Sequence, residues 1–120
     1  MKANLDTLTA FHNRFFQSST GVQAAQWVFD TLTGIAAGKP GITVTKFIHT
    51  SWVQFSVIVK IPGTKSGPVT ILGCHLDSIN QKDRMNGRAP GADDVGSTPR
   101  PRLQRVLILL LGRFRSRQCR

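Results

Sequence analysis

The chain has 120 residues, of which 40% are hydrophobic and 18% are charged, and this balance favours a single globular domain over a disordered protein. Its net charge of +10 belongs mainly to the end of the chain, because residues 98–120 carry seven arginines and no acidic residue, whereas residues 1–97 carry nine basic and six acidic groups. No transmembrane segment is expected, because the longest apolar run, Val106 to Leu111, is far shorter than the roughly 18 to 20 residues that span a bilayer.

Two helices are predicted in the first part of the chain. Apolar residues recur at helical spacing after Asn4, which is placed to cap the first turn, and this pattern predicts an amphipathic helix. The residues of its apolar face are Leu5, Leu8, Phe11, Phe15 and Phe16. Thr20 and Gln23 fit a capping box, in which each side chain satisfies the other residue's backbone amide, so a second helix is expected from there to about Gly34.

Strands are predicted after residue 40. The segments ITVTKFIHT and FSVIVKIPG alternate between two faces and predict an antiparallel pair. One face of the second segment carries Phe55, Val57, Val59 and Ile61. The run from Val69 to Cys74 is almost continuously apolar, which predicts a strand covered on both faces. This strand ends in His75, and ligands of α/β sheets gather beyond the carboxyl ends of such strands.

Two short motifs flank a polar, turn-rich segment, residues 78–92, whose length favours a functional loop. In a strand, residues two apart point the same way, so His75 and Asp77 are expected to share a face. A carboxylate beside a histidine can hold one ring nitrogen and fix which nitrogen is available to a metal. Asp93 and Asp94 follow Gly91, which permits a tight turn, and divalent metals accept such carboxylates.

Other interpretations of these residues stay open. Each motif is also common in proteins that bind no metal, so a purely structural role remains an alternative. Adjacent strand residues face opposite sides, so Cys74 and His75 cannot share a proton as in a thiol protease, and Cys74 is expected to be a small core residue. Trp27 and Trp52 are predicted to be packing groups.

Four stretches, in order, resemble the fungal leucine aminopeptidases, which are secreted di-zinc exopeptidases: AFHNRFFQSSTGVQAAQW, VQFSVIVKIPG, GCHLDSIN and APGADD. The resemblance covers nearly everything from Leu5 to Ser97. It implies that residues 1–97 are the amino-terminal portion of an α/β zinc-peptidase domain, a three-layer sandwich with a mixed sheet, incomplete here. Residues 98–120 are expected to be a divergent tail outside the fold.

The resemblance also implies a site and an activity. In the family's pattern His75 binds zinc, Asp77 orients His75, and Asp94 bridges two zinc ions. Such a site would release amino-terminal residues, with a preference for leucine-like side chains, from peptides with a free amino terminus. An extracellular location is implied as well, although MKANLDTLTAF lacks the apolar region of a signal peptide.

The chain departs from the family's pattern after Asp94. The family continues with a glutamate pair that supplies the general base and a further zinc ligand, then with another acidic residue and a final histidine, whereas this chain contains no glutamate. His12 and His49 precede the site and match no ligand position. We therefore expect the chain by itself to be inactive, because no efficient proton acceptor would stand at the metal site.

The alternative function is a non-catalytic basic binding module. The seven arginines of residues 98–120 could bind the phosphates of a nucleic acid or an acidic membrane surface. The run VLILLL between them could form a membrane-surface helix or aggregate. Only Phe114 interleaves with the arginines and no nucleic-acid motif is present, so no specific nucleic acid is expected.

Overall fold

The computed structural model describes residues 2–63 and 69–91, together with the backbone of residues 106–111. Two helices and four strands form in these parts of the chain. They are α1 (Lys2–Ala10), α2 (Ser19–Ala36), β1 (Thr43–Phe47), β2 (Ser56–Ile61), β3 (Thr70–His75) and β4 (Val106–Leu111). Among the described residues, no helix is long and apolar enough to cross a membrane.

The four strands form one mixed sheet in the order β1-β2-β4-β3. β1 and β2 are antiparallel, as their alternating patterns predict, with Thr43 opposite Lys60 and Phe47 opposite Ser56. β4 lies between β2, to which it is parallel, and β3, to which it is antiparallel. A mixed helix and strand architecture is thereby confirmed, in a sheet of which β1 and β3 are the described edges.

The position of β4 corrects one expectation. Residues 98–120 were expected to lie outside the fold, yet the backbone of Val106–Leu111 pairs on both sides within the sheet. For these six residues that prediction is wrong, and so is the alternative of a membrane-surface helix, because an uncharged apolar run suits a central strand. The boundary at residue 97 and all seven arginines of the tail lie outside the described residues.

Helix α2 and strand β2 form the core. Ala24 and Ala25 are fully buried, and Ala25 packs against Phe55 and Val57. Their small side chains permit this close approach of helix and sheet. The rings of Phe29 and Phe55 meet edge to face at 6.4 Å between centroids, and the ammonium of Lys46 lies over the Phe55 ring at 4.5 Å.

The first helix is shorter than its apolar spacing predicts. It ends at Ala10, no residue of α1 is buried, and Leu5 is 55% exposed. Phe11, Phe15 and Phe16 therefore lie beyond the helix, although Phe15 is buried. The helical interpretation is wrong there because Asn13 and Arg14, on the expected polar face, are buried and bind distant backbone groups.

The second helix begins at Ser19, with Ser18 as its cap instead of Thr20. The Ser18 hydroxyl accepts a 3.0 Å hydrogen bond from the N–H of Gly21, which satisfies one of the free amides of the first turn. The side chain of Thr20 turns away and donates to Oδ1 of Asn13 at 2.7 Å. The predicted capping box is thus replaced by a cap two residues earlier.

Strand β3 forms where the apolar run predicts a strand, but the described part of the chain does not bury its apolar side chains. Val69, Ile71 and Leu72 are 61%, 63% and 53% exposed, and Cys74 is exposed as well. The predictions that β3 is buried on both faces and that Cys74 lies in the core are therefore wrong. The physical reason is position, because β3 lies at an edge of the sheet whereas α2 packs on β1 and β2.

Candidate functional site

His75 stands at the carboxyl end of β3, and its ring meets Asp77. Nδ1 of His75 lies 3.0 Å from Oδ1 and 3.0 Å from the carbonyl oxygen of Asp77. Both of these partners are acceptors, so we assign the ring proton to Nδ1, which donates it to Asp77. The side chains are 23% and 22% exposed, so the pair is neither buried nor fully solvated.

Residues 76–91, which follow β3 and include Asp77, form a loop that we call the site loop. Arg14 joins its two ends: Nε donates to the carbonyl of Leu76 at 2.8 Å, and Nη2 donates to the carbonyl of Gly91 at 2.8 Å. A third bond runs from Nη1 to the carbonyl of Leu8 in α1, at 2.9 Å. One guanidinium thereby fixes the loop entrance, the loop exit and the first helix relative to one another.

The two residues before Arg14 bind the middle of the site loop. Nδ2 of Asn13 donates to the carbonyl of Met85 at 3.0 Å, and Nε2 of His12 lies 2.7 Å from the carbonyl oxygen of Asn86. The carbonyl of His12 accepts from the N–H of Ala89 at 2.8 Å. We call residues 12–14 the anchor segment, because each of them binds the site loop.

The site loop also holds itself together through short polar turns. Oδ1 of Asn80 accepts from the N–H of Asp83 at 3.3 Å, and Oδ1 of Asp83 accepts from the N–H of Asn86 at 3.0 Å. Across the loop, the Ser78 hydroxyl accepts from the N–H of Gly91 at 3.1 Å. The loop thus has a defined shape without helix or strand, as expected of a segment whose backbone groups are satisfied by side chains.

The structure describes some of the predicted site residues but not all of them. His75 and Asp77 are brought together, whereas Asp93 and Asp94 lie outside the described residues. Within residues 2–63 and 69–91, no three His, Cys, Asp or Glu side chains form a group that could hold a metal ion. The ligand roles of His75 and Asp94 therefore stay predictions.

The sequence gives no local signal for the anchor segment. Asn13 and Arg14 fall on the polar face of the expected first helix, which predicts solvent exposure, yet they are 1% and 7% exposed. Leu76, which binds Arg14, lies 62 residues away along the chain. A contact at that separation cannot be read from periodicity.

Comparison with known proteins supports the resemblance inferred from the motifs. The chain is 52% identical to a probable leucine aminopeptidase of Trichophyton verrucosum over 96 residues, which is 78% of this chain and 25% of that protein. It is 46% identical to leucine aminopeptidase 1 of Emericella nidulans over 101 residues, and 43% identical to leucine aminopeptidase 1 of Aspergillus niger over the same length.

These matches cover most of this chain but a small part of each relative. The chain spans about a quarter of the length of the curated relatives it matches. No protein-family model matches it. Similarity to a segment of fungal leucine aminopeptidases is therefore established by these relatives.

Proposed function

We propose that this chain, a homologue of a segment of the fungal leucine aminopeptidases, carries the first part of a zinc-dependent peptidase site. Nε2 of His75 would bind one zinc ion, Asp77 would orient the ring, and Asp94 would bridge to a second zinc ion. The observation that carries the proposal is the 3.0 Å contact between Nδ1 of His75 and Oδ1 of Asp77.

That contact suits His75 to a metal for two reasons. With the ring proton held on Nδ1, the lone pair of the ring lies on Nε2, which is the form a metal binds. The carboxylate of Asp77 also restrains the orientation of the ring, as the outer partners of zinc-binding histidines do. His75 and Asp77 thus have the arrangement of a zinc-binding histidine with its orienting carboxylate. A complete ligand group requires Asp94 as well.

The geometry around Arg14 supports the part assigned to Asp94. The carbonyls of Leu76 and Gly91 share the Arg14 guanidinium, so the loop exit lies beside the turn that carries His75 and Asp77. Asp94 follows Gly91 by three residues, and a span of three residues covers at most about 11 Å. We propose that a carboxylate on this short segment joins His75 at the metal.

The proposed substrates are peptides with a free amino terminus and a leucine-like first residue, in keeping with the names of the relatives. Bound zinc supplies Lewis-acid polarisation of the scissile carbonyl and activation of water. His75, Asp77 and Asp94 would hold and orient the metal. The chain contains no glutamate to serve as general base, so we propose that by itself it does not hydrolyse peptides at a useful rate.

We propose a fold and a cellular location on the same basis. The mixed sheet and α2 would be part of a three-layer zinc-exopeptidase sandwich, in which further elements would cover the apolar side chains of β3. An extracellular location would follow from the same family assignment. The exposed Val69, Ile71 and Leu72 support the incomplete sandwich, because such apolar side chains are usually covered in a finished sheet.

Calorimetric zinc titration of the 120-residue chain tests the site. We expect His75→Ala and Asp94→Asn each to weaken zinc binding about tenfold or more, because each removes a ligand. His49→Ala is the matched control, since it removes an imidazole that contacts Ser56 and Trp52 instead of the site loop. Equal zinc affinity in the wild type and in His75→Ala would contradict the proposal.

Hydrolysis of a leucine chromogenic amide tests the proposed lack of activity. The purified chain with added zinc should show no turnover above the rate of zinc alone. Turnover that disappears in His75→Ala would contradict inactivity and would at the same time support the assigned ligand.

A further inference from the structure

We propose that Arg14 is the positioning residue of this site, and this inference rests on the zinc-site function proposed above. Its guanidinium holds the turn that carries His75 and Asp77 against the exit of the site loop at Gly91. Arg14 would touch neither metal nor substrate. It would act by fixing the turn that carries His75 relative to the loop exit at Gly91 before a metal binds.

The bonding pattern of Arg14 is specific to this role. Leu76, one acceptor, stands between His75 and Asp77, and Gly91, another, stands three residues before Asp94. The N–H of Arg14 adds a 2.9 Å bond to the carbonyl of Ser78, directly after the His75 turn. Both ends of the site loop are therefore bound by one residue that lies outside it.

Burial makes these bonds strong and hard to replace. The Arg14 residue is 7% exposed, and each bond pairs a charged donor with a backbone carbonyl at 2.8 to 2.9 Å. Removing the guanidinium would leave the Leu76 and Gly91 carbonyls without this partner in a water-poor site. A lysine cannot substitute fully, because its ammonium is a single point whereas the guanidinium is a rigid planar fork.

The loop exit depends on Arg14 for a further reason. Gly91 adopts a left-handed φ of 87°, and a Cβ built on it would lie 2.9 Å from the carbonyl oxygen of Thr9 in α1. The loop exit thus lies directly against the helix that Arg14 also binds through Leu8. Together with Arg14, this contact holds the loop exit in a preformed position. The loop therefore loses less conformational entropy when a metal binds.

The test compares Arg14→Met and Arg14→Lys with Arg84→Met in the full chain. Arg84 is exposed and belongs to the same loop, so its variant removes an equal charge without removing the clamp. Zinc affinity should fall about tenfold or more in Arg14→Met, remain reduced in Arg14→Lys, and stay unchanged in Arg84→Met. Zinc affinity that is equal in Arg14→Met and the wild type would overturn the inference.

A metal-free measurement separates positioning from overall stability. Amide hydrogen exchange followed by NMR should accelerate about tenfold or more at Gly91 in Arg14→Met, while the amides that pair β1 with β2 keep their protection. Acceleration at all of these sites together, or at none, would overturn the positioning role. If the wild type shows no His75-dependent zinc binding, the proposed function fails, and the exchange pattern still decides whether Arg14 holds the two segments together.

Discussion

Nη2 of Arg14 donates a 2.8 Å hydrogen bond to the carbonyl of Gly91, 77 residues further along the chain. Through this bond a residue near the start of the chain binds the exit of the loop that begins at β3. The same guanidinium binds Leu76 at the loop entrance. The candidate site is therefore built from two distant parts of the sequence.

Asp77→Asn should weaken zinc binding about 10- to 100-fold, because the oxygen of a neutral amide is a weaker acceptor for the Nδ1 proton of His75 than the carboxylate is. Calorimetric titration measures the affinity, and nitrogen chemical shifts of the His75 ring report which nitrogen carries the proton. Asp30→Asn on the exposed surface of α2 is the control. An Asp77→Asn variant with wild-type affinity would show that the contact does not serve a metal ligand.

Asn13→Ala should lower the free energy of unfolding by about 1 to 3 kcal/mol, the usual cost of unpaired buried polar groups. Oδ1 of Asn13 accepts from the hydroxyls of Ser18 and Thr20, both at 2.7 Å, and the amide nitrogen binds Met85. Urea unfolding followed by tryptophan fluorescence measures the change. The exposed neighbour Gln17, changed to Ala, should alter stability little, and an equal loss in both variants would refute this account.

Gly21→Ala and Gly34→Ala should have opposite effects although both glycines lie in α2. A Cβ on Gly21 would lie 2.0 Å from the carbonyl oxygen of Phe15, a clash with backbone whose relief costs about 1 to 3 kcal/mol. A Cβ on Gly34 meets nothing within 4 Å, so alanine there should stabilise the helix by up to about 1 kcal/mol. Thermal unfolding monitored by circular dichroism compares the pair. Similar shifts in both variants would argue against the close approach at Gly21.

Ile71→Ser and Val57→Ser should change the free energy of unfolding by very different amounts, because Ile71 lies on an exposed strand and Val57 lies in the core. Ile71 is 63% exposed, so its replacement should change the free energy of unfolding by about 0.5 kcal/mol or less and should reduce self-association. Val57 is 2% exposed, and a serine there should cost well over 1 kcal/mol, because it loses apolar burial and inserts a hydroxyl. Urea unfolding and light scattering measure the two effects. A large loss of stability in Ile71→Ser would mean that β3 is covered.

Local patterns in the sequence predict several elements correctly. The apolar alternation around Val57 and Val59 predicts β2 and its buried face, and the run ending at His75 predicts β3. The short spacing of His75 and Asp77 also anticipates their contact, although Asp77 lies just beyond the end of β3. These features depend on neighbours in sequence, so helical and strand periodicity suffices to find them.

Other features depend on contacts that periodicity does not encode. The helical spacing of Phe11 and Phe15 predicts a helix that in fact ends at Ala10, because buried Asn13 and Arg14 bind the site loop instead. The apolar composition of β3 predicts burial on both faces, whereas its position at the sheet edge leaves Ile71 exposed. In both cases tertiary position outweighs local preference.

The sequence by itself therefore determined the order of α2 and β1 to β3, the His75–Asp77 pair and the similarity to a family of peptidases. Only the tertiary structure decided where β4 lies, which face of the sheet is covered and which residue holds the site loop. The physical reason is that alternation and helical spacing record whether a residue is apolar, but not which distant backbone group it meets. Arg14 shows the difference, because its charge is plain in the sequence, whereas the carbonyls of Leu8, Leu76 and Gly91 meet its guanidinium only when the chain is folded.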